Sequence, residues 1–346
     1  MNRRFVIIAV VGIIILALVG GALFWAVQKQ KAAQEPVATG PVLLALSTES
    51  AISPVASLDG NGIWFFNSDN RLFRINADGT GLTEFPLPTL SNQKITRVLW
   101  PPSGENLDFL AVTTKDPIIT GKVYYNSLLK TYTNLPDNIQ SIDWLPDSKR
   151  VVYVWQSADK QTQQLITANA DSAGFVAISN VFYPDLVVEA SSDGKTVLLY
   201  RSKIEGAVNK IYAADLSTKE ITTVIDQGKN LEALWISPTR FLFTQEAITS
   251  YPSVYLYDMI SRQAVSLAIN TTLDKVVVSG DGKTLYAATP KKDNTGDTFV
   301  KVDLVTFKNE DYFVPEQNVR AKNLLLLGNS VFFVNTADGK LYGIGQ

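Results

Sequence analysis

Residues 71–85, RLFRINADGTGLTEF, alternate apolar and polar side chains, break at a cluster of small turn formers, and then alternate again. Period-two alternation is the pattern of a strand with one covered face. An Asp-Gly break between two such runs predicts a hairpin, because Gly accepts positive φ and Asp caps the bend with its side chain. Leu72, Phe73 and Ile75 are then packing positions, while Asn76, Asp78 and Gly79 make the bend.

The same order of signals returns along most of the chain. Tight turns follow apolar runs at SLDGNG (from Ser57), PPSGEN (Pro101), LPDSKR (Leu145), SSDGKT (Ser191), ISPTR (Ile236), SGDGKT (Ser279) and LGNS (Leu327). Anchored on Asp59, Gly104, Asp147, Asp193, Pro238, Asp281 and Gly328, the steps are 45, 43, 46, 45, 43 and 47 residues. A period of about 45 residues fits one propeller blade. The fourth unit shows the internal order: DLVVEAS, a turn at SDGK, TVLLYRS, a loop, NKIYAADL, a turn at STK, and EITTVID. The expected fold is all-β: a seven-bladed β-propeller of four-stranded antiparallel blades. Neighbouring blades must stack, because a lone four-stranded sheet cannot cover both of its faces.

The seventh unit supplies three strands, NVRAKNLLLL, SVFFVNT and GKLYGIG. One apolar segment ahead of the first unit, PVLLALS at 41–47, is unassigned and is expected to complete the last blade. Trp100, Trp144 and Trp235 share one phase at the end of first strands, with Trp64 and Trp155 on second strands. All five are expected to pack between blades.

Ahead of the repeats the pattern changes completely. FVIIAVVGIIILALVGGALFWAV, residues 5–27, contains 23 residues without a charge. As a helix it would extend about 34 Å, enough to span a hydrocarbon core of roughly 30 Å. The run exceeds the apolar region of a cleaved signal and lacks a small-x-small site at its end, so it is expected to remain as an anchor. Phe5, Ile14, Leu18 and Trp25 are the expected anchor residues, with Trp25 near one end suited to the interface. Arg3, Arg4 and the α-amino group slightly outweigh Lys29 and Lys31, which places residues 1–4 in the cytoplasm. Residues 28–40 read as a polar tether, and 41–346 as the propeller on the extracytoplasmic side of the cytoplasmic membrane.

Composition narrows the chemistry. The chain has no Cys and no His among its 346 residues, which excludes thiolate nucleophiles, disulfides, Cys/His zinc sites and His-based triads. The first 31 residues hold four of the 31 bases and none of the 33 acids, leaving 27 bases against 33 acids beyond them. That mildly acidic remainder has no basic run, so nucleic acid is not an expected partner. GDGKT at Gly280 lacks the leading Gly of a phosphate loop and lies between two strands, so it reads as a hairpin turn.

The turns Trp100-Pro101-Pro102-Ser103-Gly104, Trp144-Leu145-Pro146-Asp147-Ser148-Lys149 and Ser191-Ser192-Asp193-Gly194-Lys195 resemble the Trp-Ser-Pro-Asp-Gly-Lys turn of TolB-type, WD-repeat-like propellers. LFRINADGTG, from Leu72, is similar to the outer hairpin of those repeats. The resemblance covers residues from about 50 to 346 and implies the propeller fold; function must come from the site.

The candidate acids are Asp143, Glu189 and Glu232, on first strands that line the central channel. A carboxylate pair there, such as Asp143 and Glu232, would permit a glycan-active hydrolase or lyase. Asp159, Asp293 and Asp297 lie in loops without calcium-loop spacing, so no metal or cofactor is expected. Loops at 158–163, 204–209, 247–253 and 290–297 are the expected partner contacts. The leading functional expectation is a membrane-anchored, non-catalytic platform of the cell envelope that binds a protein partner, with a glycan as the alternative ligand.

Overall fold

The computed structural model describes residues 41–345 apart from 104–106, 117–118, 184, 202–207 and 247–250. The apolar run 5–27, with Phe5, Ile14, Leu18 and Trp25, and the tether 28–40 lie outside the described residues. Among the described residues no helix is long and apolar enough to cross a membrane.

The unit Val42–Gly345 contains seven four-stranded antiparallel sheets, the blades of a propeller. The innermost strands of blades 1 to 7 are Ile52–Ala56, Lys94–Leu99, Ile139–Trp144, Leu186–Ala190, Ala233–Ser237, Val276–Val278 and Ala321–Leu327. In blades 1 to 6 the four strands follow one another in chain order. Blade 7 differs: Ala321–Leu327, Ser330–Asn335 and Lys340–Gly345 are joined at the outer edge by Val42–Ser50, with Ala45 opposite Tyr342.

Hydrophobic packing closes the ring. A separate buried cluster occupies each of the seven junctions among the described residues. Phe66, Phe109 and Tyr125 fill the junction of blades 1 and 2. Phe299 and Phe333 fill that of blades 6 and 7, and Leu46, Phe65 and Phe332 that of blades 7 and 1. Each sheet thus covers the face that its neighbour would otherwise leave in water, which is the stacking the repeat demands.

The phase-matched tryptophans add a directional bond to this packing. The indole Nε1 of Trp100 donates to the Ser53 carbonyl at 2.7 Å, that of Trp144 to Leu99 at 2.9 Å, and that of Trp235 to Glu189 at 3.0 Å. Every acceptor lies on the innermost strand of the preceding blade. A ring that fills the junction therefore also satisfies a strand-edge carbonyl there.

The 71–85 stretch forms the outer hairpin of blade 1, strands Leu72–Asn76 and Thr83–Phe85. Leu72, Phe73 and Ile75 are buried. Asp78 accepts the Thr80 amide at 2.9 Å and its hydroxyl at 2.7 Å. Gly79 sits at φ +82°, where a Cβ would also press to 3.2 Å on the Leu46 side chain of the strand that closes blade 7. Positive φ and the close approach both select Gly here.

Candidate functional site

Backbone bonds sort the connections into two ends of the ring. The turn joining the first two strands of a blade and the turn joining its last two share one end. Their link is a repeated hydrogen bond: Ala77 N–H to Asn61, Ala170 to Lys149, Leu216 to Lys195, Met259 to Thr239 and Leu304 to Lys283. This end is the turn face. The loops between second and third strands share the other end, the loop face, with the connections between blades, as Gln156 N–H to Asn138 and Thr271 N–H to Pro252 show.

On the turn face, serine and aspartate build the bends. Ser57 donates to Asp59 at 2.5 Å, Ser191 to Asp193 at 2.7 Å and Ser279 to Asp281 at 2.6 Å. The same serine oxygens accept the amides of Gly62, Thr196 and Thr284 at 2.9 to 3.0 Å. The Ser hydroxyl bond, then the following amide, hold the Asp59 and Asp281 carboxyls below their ordinary range. GDGKT at Gly280 is such a bend, between strands Val276–Val278 and Thr284–Pro290.

The turn face also exposes large apolar side chains. Leu58, Leu128, Leu129, Phe175, Ile260 and Val305 lie in its bends, and Ile260 is 78% exposed. Between blades 1 and 2 a cavity of about 310 Å³ opens here, lined by Leu58, Trp64, Trp100, Pro101, Pro102 and the Arg74–Asp59 ion pair. The loop face exposes Phe182 and Val208. Its 158–163 segment is a tight turn in which Ser157 donates to Asp159, and its 290–297 segment bends through Asp293, which accepts from Thr295. Parts of 204–209 and 247–253 lie outside the described residues.

The channel brings the first-strand acids together in part. Asp143 accepts the Ala190 amide at 2.9 Å and the Trp144 amide at 2.8 Å, so it bridges blades 3 and 4. Burial pushes its carboxyl up to about 6, against those two amides and the nearby Arg97 charge. Glu189 is raised well above the ordinary carboxylate range, first by burial and then by the charge of Asp143, with Arg97 opposing. The charges of Asp143 and Glu189 therefore act on each other. Glu232 lies in blade 5, where its carboxylate accepts the Leu273 amide of blade 6 at 3.2 Å. Asp143 and Glu232 thus satisfy backbone N–H groups of the next blade, as Ser53 does for Val98 at 2.9 Å and Ser141 for Val188 at 3.1 Å.

Asp297 is also committed to structure. It is 2% exposed, pairs with Lys275 at 2.8 Å and accepts the Ala321 amide at 2.7 Å. Among the described residues no group of three or more acidic side chains is placed to hold a metal ion.

Arg97 and Lys322 are channel residues that sequence patterning passed over. They line a cavity of about 490 Å³ with Ser53, Thr96, Asp143 and Asn323. A signal existed: Arg97 stands three residues before Trp100, the phase that Glu232 occupies before Trp235.

No family model matches the chain, and no curated protein does. Solved structures do. The chain is similar to TolB from Acinetobacter baumannii at 15% identity, over 85% of this chain and 78% of that one, with a TM-score of 0.43. It is similar to an oligogalacturonate lyase in complex with manganese at 10% identity, over 89% and 94%, with a TM-score of 0.64. A prolyl endopeptidase matches at 12% identity over 86% of this chain, which spans 48% of that enzyme, with a TM-score of 0.63. At such identities the likeness carries the fold alone. The chain has the fold of a seven-bladed β-propeller.

Proposed function

We propose that the protein is a non-catalytic binding platform of the cell envelope. In this reading residues 5–27 hold it in the cytoplasmic membrane and the propeller, outside that membrane, presents its turn face to a protein partner. The observation that carries the reading is the set of exposed apolar side chains on that face, in bends of blades 1, 2, 3, 5 and 6. Large apolar side chains exposed on one face, with Leu58 lining a pocket that holds two tryptophans, are what a protein interface uses for anchoring. The uncharged 23-residue run, flanked by Arg3 and Arg4, supports the membrane location.

Crosslinking pull-down from native membranes tests the reading. The full chain is compared with a variant carrying Leu128, Leu129, Ile260 and Val305 all changed to Ser. The expected result is one protein captured by the native chain and lost from the variant. Capture that survives all four substitutions contradicts the turn face as the docking surface.

A second reading has one observation in its favour. Burial raises the proton affinity of both the Asp143 and Glu189 carboxyls, a property that a general acid in a glycan-active enzyme requires. Turnover of a polysaccharide that disappears in Asp143→Asn and in Glu189→Gln would favour that reading over the platform.

A further inference from the structure

Two cations in the channel make no hydrogen bond or ion pair across the blade junctions among the described residues. Arg97, on Lys94–Leu99 of blade 2, and Lys322, on Ala321–Leu327 of blade 7, line the same cavity of about 490 Å³. Both are exposed within it, and among the described residues neither has a hydrogen-bonding or ion-pairing partner. The Asn323 side chain beside them is likewise without a partner among those residues. The contrast with the acids is sharp, since Asp143 spends its oxygens on two backbone amides.

Irregular backbone adjoins these groups, as it also interrupts the innermost strands of blades 3 and 5. Register shifts interrupt the innermost strands of blades 7, 1 and 2, between Lys322 and Leu325, Ile52 and Val55, and Ile95 and Arg97. Asn323 and Ser53 stand at φ +52° and +48°, a left-handed conformation unusual in a strand. Such bulges redirect side chains and concentrate beside binding sites.

We propose that the channel binds a small organic anion through a carboxylate held between Arg97 and Lys322, with the Asn323 amide as a neutral donor. A guanidinium presents two parallel N–H groups to a carboxylate, and the ammonium adds a point charge. The cavity volume falls in the range of about 300 to 1,000 Å³ typical of small-molecule sites. This inference does not depend on the platform reading, which uses the turn face.

The site is linked to protons. Asp143 faces Arg97 and Glu189, with Lys322 in the same cavity wall, while Glu232 and the Tyr200 phenol act on the Glu189 side. Arg97 opposes protonation of both Asp143 and Glu189. An anion that neutralises Arg97 removes that opposition, so binding takes up protons and tightens as pH falls.

Isothermal titration of the full chain in mild detergent, with citrate as probe and inorganic phosphate as the comparison, tests the proposal at about pH 6 and about pH 8. Saturable citrate binding, tighter at the lower pH, is expected. Arg97→Gln and Lys322→Gln should each weaken it by at least roughly tenfold while melting like the native chain, because neither side chain carries a structural bond. Three outcomes overturn the site: no saturable heat with citrate, binding of phosphate but not citrate, or variants that bind citrate as the native chain does.

Discussion

Blade 7 and the six other blades have the same four-stranded shape and differ in what assembles them. In blades 1 to 6 each strand pairs with its sequence neighbour through a short turn, so each blade is a local object. In blade 7 the outer strand Val42–Ser50 comes from the other end of the propeller sequence, and the Leu341 amide bonds the Ser47 hydroxyl across 294 residues. That strand also reaches blade 1: Glu49 accepts from the Asn67 side chain at 2.9 Å and Ser50 from the Ser68 amide at 3.0 Å. Short hairpins thus specify the blades, and one distant strand fastens the ring. Loop closure must be completed before that strand contributes, which makes it the last and most consequential joint.

The largest predicted effect removes that joint. Deleting Val42–Ser50 exposes the edge of Lys340–Gly345 and strips Leu46 from the junction of blades 7 and 1. Thermal unfolding of the deleted chain should shift down by at least ~10 °C. A shift no larger than that of a surface substitution would remove the distinction between blade 7 and the others.

An ordinary junction should respond more modestly. Trp144→Phe keeps a ring in the cluster of blades 2 and 3 but deletes the indole bond to Leu99. The expected cost is about 1–3 kcal/mol in chemical denaturation, from lost volume and a carbonyl left unpaired. A cost near that of deleting the closing strand would make all joints equal.

The smallest effect is electrostatic and concerns the junction of blades 3 and 4. Folding raises the Asp143 carboxyl from its ordinary 3.8 to about 6. Between those two values the folded state binds more proton than the unfolded one. Stability therefore falls as pH rises through this window, and the loss is complete above about 6. Asp143→Asn should flatten that part of the stability profile, whereas Asp59, lowered by its Ser57 bond, contributes stability that is lost as pH falls. Denaturant midpoints measured across this window check the first sign, and midpoints measured below 3.8 check the second.

The fold was legible because its turns repeat. Asp59, Asp193 and Asp281 recur with their serines two residues earlier, and hydrogen bonds in the structure give each pair the same job. Packing tryptophans were legible for the same reason, since a shared phase implies a shared environment. The channel was less so. Asp143 and Glu189 share a phase, but that phase holds Leu99 in blade 2, where the charged residue stands two positions earlier at Arg97, beside a register shift that blade 3 also carries between Ile139 and Ser141. A register shift of one residue has no composition signature at Ser53 or Asn323, because neither is the Gly that left-handed backbone usually selects. Exposed apolar residues such as Leu128 and Ile260 were equally silent. Within an alternating pattern an apolar turn residue looks like a strand continued by one position.

Amide hydrogen exchange of the full chain tests the contrast between the closing strand and the other outer strands most directly. Two variants are compared, Leu43→Pro with Leu44→Pro in the closing strand, and Ala177→Pro with Ile178→Pro in the outer strand Val176–Asn180 of blade 3. Proline removes a ladder donor in either place. The closing-strand variant should lose protection in all seven blades together, and the blade 3 variant only in its own outer hairpin. Loss confined to blade 7 in the first variant would show that the ring holds without its fastening strand, and would contradict the account.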